Sequence, residues 1–453
     1  MKPARAVDAV IVGAGFAGTV VAASLARTAP ASFRATIFDP HAPGPGTAYS
    51  PVSDRLLMNG AARAMSAVPG DEAHLVRWLG GNCEDRLIPR QLFGKYLAEQ
   101  FDRALATHAG IALSRSRVVD IERREHGLAV RDEAGNEHLA RMVVLALGNP
   151  PPDDAFLPTA VREDAGYVRD PWHFDASVLR GDAIALIGSG LTAMDAIALL
   201  DERGYPGTIH LISRRGLLPA LEDVCARGLD PRTLNLDTRT PLRLLRSMRA
   251  AAKAHELAGG DWREVAESIR KSSPAIWASW SVRERERYLE HLQSYWIAHR
   301  YRVPPATALA YGRMDARGAI ARHRGRIAAA GRNGERLTLH IATAKGASAI
   351  EVSDIVNCTG PQCDYDRALD PLAVSLRERG LVRADRLHLG LETTADLRAV
   401  DRFGNVGAIY TLGPPTRGLW YESTAVPEIR HQAARIAQSL VRAHARASLV
   451  AVS

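Results

Sequence analysis

The chain has 453 residues, 46% hydrophobic and 24% charged, with a formal net charge of +8 and four cysteines. Its length exceeds what one core usually fills, so two or three domains are expected, with the composition of a soluble globular protein. Lysine stands only at positions 2, 95, 253, 271 and 345, so the charge is scattered arginine, which speaks against a nucleic-acid partner, while Cys83, Cys225, Cys358 and Cys363 are too irregular for a disulfide framework and suit a reducing compartment.

The run Val7 to Gly18, VDAVIVGAGFAG, predicts a buried parallel strand ending in a glycine turn that opens a helix from Thr19 to Arg27. Gly13, Gly15 and Gly18 stand at the GxGxxG spacing, with Phe16 and Ala17 between them. The first glycine permits the sharp turn, the second lets a pyrophosphate approach the backbone, and the third lets the helix lie close on the strand. The next strand, ATIFD, ends in Asp39, where a ribose hydroxyl needs an acceptor. A glycine turn that binds nothing is the bland alternative, and the acidic strand end argues against it. Basic residues before the apolar run imitate a signal peptide, but the glycine fingerprint inside it points to retention, hence a cytoplasmic protein. No segment has the continuous apolar length of a membrane span.

HAPGPGTAYSP, rich in Gly and Pro and containing Tyr49, predicts a loop over the first nucleotide site, continued by RLLMNGAARAMSA with Asn59. Leu75 to Trp78 and Gln91 to His108 read as helices, the second with an apolar stripe through Leu92, Phe93, Tyr96, Leu97 and Phe101. From Arg117 the pattern changes to short strands: RVVDIERR, which contains Val118, then HGLAVRDE, then HLARMVVLALG. The last is apolar without interruption from Met142 to Leu147 and ends at Gly148. PPPDD begins a linker.

The programme then repeats. DAIALIGSGLTAMD supplies a second strand and glycine turn, with Gly188 and Gly190 at the first two positions, Ala193 at the third, and Leu191 and Thr192 opening the helix. GTIHLISRRG is its second strand, ending in Ser213, Arg214 and Arg215 where the first copy has Asp39. RIAAAGR, RLTLHIAT and AIEVSDIVNCTG copy the short strands and the closing apolar strand. A carboxylate accepts from a free 2′-hydroxyl, whereas guanidinium groups accommodate a 2′-phosphate, so FAD is expected at the first turn and NADPH, over NADH, at the second. Exposed arginines without a ligand are the alternative.

Leu217 to His323 reads as a long insertion in the second module, helical in PLRLLRSMRAAAKAHELA, WREVAESIRKS and SVRERERYLEHLQSYWIAHRYR. Its end carries Trp296, His299, Arg300, Tyr301 and Arg302, a cluster suited to a planar or anionic substrate, or equally a helix C-terminus decorated with cations. Near the C-terminus NVGAIYTLGPP predicts a strand and a turn at Gly413, and STAVPEIRHQAARIAQSLVRAHA a helix with Pro427 and Glu428 in its first turn. The expected fold is therefore α/β: two Rossmann-like dinucleotide-binding modules with antiparallel crossover sheets and a helical insertion. The expected division is an FAD-binding part over 1–165, an NAD(P)H-binding part over 166–357 with the insertion at about 217–323, and a closing FAD-binding part over 358–453.

GAGFAG, GTAYSP, RLLMN with AMSA, IPRQLFGKYL, RDPW, GSGLTAMD, HRYRVPP, NCTGP and LGPPTRGLWYESTAVPEIRHQA together resemble the flavin monooxygenase family that includes FAD-dependent urate hydroxylases and bacterial aspartate N-monooxygenases. The resemblance runs from Val7 to about Ala437. It implies bound FAD, reduction by NADH or NADPH, molecular oxygen as co-substrate, and oxygen transfer to a small polar molecule. By analogy, FAD contacts fall to Gly13, Gly15, Phe16, Ala17, Gly18, Asp39, Tyr49, Asn59, Val118, Gly148 and the Gly413 turn, and nicotinamide-cofactor contacts to Gly188, Gly190, Leu191, Thr192, Arg214 and Arg215. Two-dinucleotide flavoproteins often place an Asp after the C-terminal strand to hold ribitol; here Pro414 follows Gly413, and Glu422 is the candidate replacement. Compact length leans to urate as substrate, fixed by His299, Arg300 or Arg302, with N-hydroxylation of an amine or amino acid as the alternative. From another class comes a flavin reductase or electron-transfer protein, for which the C-x4-C pair Cys358 and Cys363 is the best support, although that pair follows a late strand rather than the first glycine turn.

Overall fold

The computed structural model describes residues 6–50, 53–179, 181–220 and 227–450. Cys225 lies outside them. The larger sheet has eight strands, with the order Arg398–Val400, Val406–Thr411, Glu137–Leu145, Val7–Val12, Ala35–Phe38, Ile111–Ser114 along its main path. Val118–Arg124 and Gly127–Asp132 extend it antiparallel through Glu137–Leu145. Val7–Val12 sits centrally, parallel to both Ala35–Phe38 and Glu137–Leu145, and Ala9, Val10 and Ile11 are fully buried, as an uninterrupted apolar run requires. One face is covered by the helices Phe16–Thr28, Arg90–Thr107 and Val426–Val450, so the C-terminal helix closes the core begun by the first strand. On the other face Pro371–Glu378 packs on the crossover strand Val118–Arg124.

The second sheet has five parallel strands in the order Ile320–Arg324, Thr208–Ser213, Ala183–Ile187, Asp354–Asn357, Tyr167–Val168. Its crossover is a separate antiparallel sheet of Arg326–Asn333, Arg336–Thr343 and Gly346–Val352. Both copies of the sequence programme thus form the same kind of parallel sheet. The expected α/β fold is what forms.

The sequence reading carried the insertion through to His323, but residues 305–324 belong to the second sheet's own architecture. Pro305–Ala316 is a helix packed on Leu191–Glu202, and it returns the chain to Ile320–Arg324, parallel to Thr208–Ser213. A parallel neighbour requires such a crossover helix. Pro305 opens that helix, a position where its missing N–H costs nothing.

The remaining insertion is helical: Pro241–Leu257, Trp262–Ser268, Ser273–Ser279, Val282–Arg287 and Gln293–Arg300, the last two joined through a π turn at Tyr288–Leu292. It has its own small core of Leu244, Ile269, Trp277, Trp280 and Tyr288, completed by Tyr421 from the C-terminal segment. The Trp277 ring lies 4.8 Å from that of Tyr421, and its indole N–H donates to the Gly418 carbonyl at 2.8 Å. Those contacts seat the insertion on the turn that precedes the last helix. Among the described residues no helix is long and apolar enough to cross a membrane.

Candidate functional site

At the first glycine turn Gly13 adopts φ +102°, and a Cβ there would come within 2.5 Å of the Ala146 carbonyl oxygen, so only glycine serves. A Cβ on Gly18 would overlap the Gly13 carbonyl, which is how the helix lies close on the strand. Gly15 caps Phe16–Thr28 without a side-chain hydrogen bond, leaving the first-turn amides to whatever lies before them. Asp39 accepts from the Ala14 amide at 2.7 Å and from the His41 amide at 2.8 Å, which aims its carboxylate at the turn. The Gly/Pro loop does lie over this turn: the Gly44 amide donates to the Ala14 carbonyl at 2.7 Å. A dinucleotide with its pyrophosphate on the helix start and its ribose near Asp39 fits these residues.

The second turn repeats the geometry. Gly188 adopts φ +113°, and a Cβ there would overlap the Cys358 carbonyl. Gly190 faces open space and caps Leu191–Glu202, again with no side-chain bond, while Leu191 and Thr192 form the first turn of that helix. Arg214 and Arg215, paired in the sequence reading, behave differently. Arg214 is exposed and makes no hydrogen bond or ion pair among the described residues. Arg215 instead donates to the carbonyls of Glu290 and, at 3.0 Å, His291, with its guanidinium 5.4 Å from the Tyr295 ring centre. It closes the π turn, whose carbonyls need donors, so the cationic end of this strand is carried by Arg214.

The insertion meets the C-terminal segment through a buried ionic cluster. Glu267 pairs with Arg300 and Arg302, each at 3.4 Å, and with Arg270 at 2.9 Å; Arg270 also reaches Glu428 at 2.9 Å. Glu422 is 1% exposed, accepts from the Tyr301 hydroxyl at 3.5 Å, and its Oε1 stands 4.0 Å from Arg300 Nε. Among the described residues neither that Oε1 nor that Nε has a hydrogen-bond partner. Burial pushes the Glu422 carboxyl up, partly offset by Arg300 and reinforced by Glu428. Burial works against the Arg300 charge, but Glu422 and Glu267 outweigh it and raise its pKa.

Of the residues expected to hold substrate, Arg300 and Arg302 enter this cluster and His299 does not. His299 is exposed on the outer face of Gln293–Arg300, its Nδ1 2.8 Å from the Tyr295 carbonyl and its ring edge-on to Trp262. One residue along a helix turns the side chain by about 100°, which is enough to leave His299 exposed while adjacent Arg300 enters the cluster; the expectation for His299 is withdrawn. Glu422, expected at ribitol, lies instead among the insertion's side chains.

Tyr49 packs edge-on to Phe16 and Phe93, with ring centres 6.1 and 4.8 Å apart. Asn59 is exposed, Val118 is buried in the crossover sheet, and Gly148 follows the closing strand with φ +67°. Gly413 adopts φ +73°, its amide donating to Gln432 Oε1 at 2.7 Å while Gln432 Nε2 donates to Thr416 Oγ1 at 3.1 Å; one side chain of the last helix thus shapes the turn. Cys358 is buried, which drives its thiol pKa well up, and Cys363 Sγ lies 4.0 Å from Arg417. Neither is disulfide-bonded. The sequence reading missed Glu267, Arg270 and Glu428, charges on helices whose buried face is not separable from their solvated one by spacing alone.

Residues 10–150, the first glycine turn through the closing strand, match the family model described as FAD-NAD(P)-binding. The chain carries an FAD-NAD(P)-binding domain. Comparison of the chain with curated proteins finds no match. Solved structures share the whole architecture. The ornithine N-hydroxylase of Kutzneria sp. 744, described with reduced FAD, NADP+ and L-ornithine, superposes with a TM-score of 0.67 over 97% of this chain and 100% of its own, at 17% identity. The FAD-bound cadaverine monooxygenase of Erwinia amylovora gives 0.68 over 96% of this chain and 94% of its own, at 12% identity. The bacillithiol disulfide reductase of Bacillus cereus gives 0.58 over 97% and 99%, at 14% identity. The common fold is that of the two-dinucleotide flavoproteins. It serves oxygenases and disulfide reductases alike, so the FAD-NAD(P)-binding domain does not by itself choose between them.

Proposed function

We propose that this chain is an FAD-dependent, NAD(P)H-driven monooxygenase that hydroxylates the nitrogen of a small amine or amino acid. The observation that carries the reading is the Glu422–Arg300 gap: a buried carboxylate oxygen and a guanidinium N–H, 4.0 Å apart and both without a partner. A substrate amine donates to the carboxylate while its lone pair stays free to take up oxygen, and a second polar group of the substrate, such as an amino acid's carboxylate, accepts from the guanidinium. Bound FAD, reduced by the nicotinamide cofactor, supplies the oxygen chemistry. The chain's own work is to bind, orient and exclude water. Trp277, Tyr288 and Tyr421 shut the insertion against the C-terminal turn, Arg300 donates to a polar group of the substrate other than the reacting nitrogen, and Glu422, its pKa raised by burial, accepts from that nitrogen's N–H.

Structural neighbours named for ornithine and cadaverine support the amine over urate, the substrate first expected from the sequence. With His299 on the outer face, the planar-anion site built around it also loses its central member. A disulfide-reductase role is disfavoured by Cys358, whose burial opposes the thiolate such chemistry requires.

The test is a panel of amines, amino acids and urate, scored for coupled NADPH and oxygen consumption and for hydroxylamine formation. An amine should accelerate both, with activity rising with pH as its nitrogen deprotonates. Acceleration by urate alone, with 5-hydroxyisourate as product, overturns the reading.

A further inference from the structure

The two modules are joined by an ion pair with a defined place in each. Arg90 is the first residue of Arg90–Thr107 in the first module, and Asp195 lies just over one turn into Leu191–Glu202, the helix that opens on the second glycine turn. Arg90 Nη2 and Asp195 Oδ2 are 2.8 Å apart, with the side chains only 11% and 13% exposed. Arg90 is itself fixed: its Nε donates to the Leu57 carbonyl at 3.2 Å, and its guanidinium lies 5.3 Å from the ring centre of Trp172, in the segment linking the modules. Burial pushes the Asp195 carboxyl up and Arg90 opposes that shift, so the carboxylate depends on its partner across the interface. At the far end of the same helix Ser53 Oγ donates to Glu202 Oε2 at 2.8 Å. The helix that cradles the second dinucleotide is therefore tied to the first module near both ends.

The first module's end of the tie leads back to its own glycine turn. Phe93, one turn beyond Arg90, packs against both Tyr49 and Phe16, and Phe16 is the residue that follows Gly15. Between Gly15 and Gly190 there is thus a short run of packed groups: Phe16, Tyr49 with Phe93, Arg90, Asp195. A buried ion pair adds little stability against an apolar replacement of the same shape, but it accepts only one arrangement of its partners.

We propose that Arg90 and Asp195 are positioning residues that set the second module's dinucleotide helix against the first, so that a nicotinamide held by one reaches the flavin held by the other. This rests on the two-dinucleotide reading above. A hydride is transferred only when donor carbon and flavin are in contact, so a loosened pair slows the transfer without weakening either cofactor's own site.

Anaerobic stopped-flow reduction of the holoenzyme by saturating NADPH is the test, with D195N and the conservative R90K. Both should lower the limiting rate constant at least tenfold, with FAD content and NADPH affinity held within twofold of wild type. Reduction by dithionite, which needs no docked nicotinamide, should be unchanged. R313A, which breaks the Arg313–Asp201 pair inside the second module, should reduce at the wild-type rate. A readout without cofactor comes from flavin-free protein, in which D195N should be cut faster by trypsin in the segment 160–182 than wild type. Wild-type reduction rates in both variants, or rate and NADPH affinity falling together, overturn the proposal. A wild-type holoenzyme that neither NADPH nor NADH reduces sinks the functional reading instead, and unchanged trypsin cleavage then overturns the latch independently.

Discussion

Replacing Arg214 isolates the question of which nicotinamide cofactor the second turn selects. Arg214 is exposed at the strand end and makes no hydrogen bond or ion pair among the described residues, whereas Arg215 is committed to the carbonyls of the π turn. R214A therefore removes one mobile guanidinium and nothing structural. A hydrogen bond to a charged group contributes about 1.5–3 kcal/mol, and the exposure of this site argues for the lower end. About 1.5 kcal/mol corresponds to roughly tenfold in kcat/KM. Steady-state oxidation of NADPH and NADH by the yellow holoenzyme, with and without R214A, measures it directly. NADPH should lose about tenfold and NADH should be unchanged, collapsing the preference for the phosphorylated cofactor. An equal loss with both cofactors, or none with either, would refute the assignment of the 2′-phosphate to this strand end.

R215A should leave that ratio intact and instead lower the unfolding midpoint, since it strips two donors from the turn that joins the insertion helices. W277A removes a side chain only 2% exposed, together with its bond to Gly418, and should cost about 3–5 kcal/mol by chemical denaturation; a cost within error of zero would mean the insertion does not rest on the C-terminal turn. His388 donates toward Asp364 at 3.0 Å, which raises its pKa above 6.5. Its stabilising charge is fully present below pH 6.5 and is lost as pH rises through the raised value, so the stability lead of wild type over H388N should shrink toward alkaline pH. A lead that grows with pH would contradict that sign. C363S should reduce flavin and consume oxygen at the wild-type rate, and a dead variant would revive the reading as a flavin reductase or electron-transfer protein.

What the sequence made legible follows from backbone physics. The glycine turns were readable because their spacing answers to steric demands that no other residue meets, as Gly13 against the Ala146 carbonyl and Gly188 against that of Cys358 show. Duplicated strands were readable because a strand buried on both faces must be continuously apolar, as Ala183–Ile187 is. Short pieces were not: Ile111–Ser114 and Tyr167–Val168 were both overlooked, since four and two residues give periodicity nothing to repeat. Ser273–Ser279, a short helix with Pro274 in its first turn, was missed as well.

Side-chain partnerships were the least legible, because they are settled by where helices dock rather than by local pattern. Arg90 lies within IPRQLFGKYL and Asp195 within GSGLTAMD, both singled out as motifs, yet only the apolar stripe of one and the glycines of the other carried a readable meaning. Their partnership spans 105 positions, 195 less 90, and exists only once two sheets have formed and faced each other. The same holds for Glu422, which a linear reading tied to the nearby Gly413 turn, although the Arg300 charge and the Tyr301 hydroxyl reach it from the insertion. In this fold the cofactor cradles are local devices written in a few consecutive residues. The groups proposed to set one cradle against the other, and to enclose what is oxidised, are long-range, so substitutions among them should change how the reaction runs while leaving both cofactors bound.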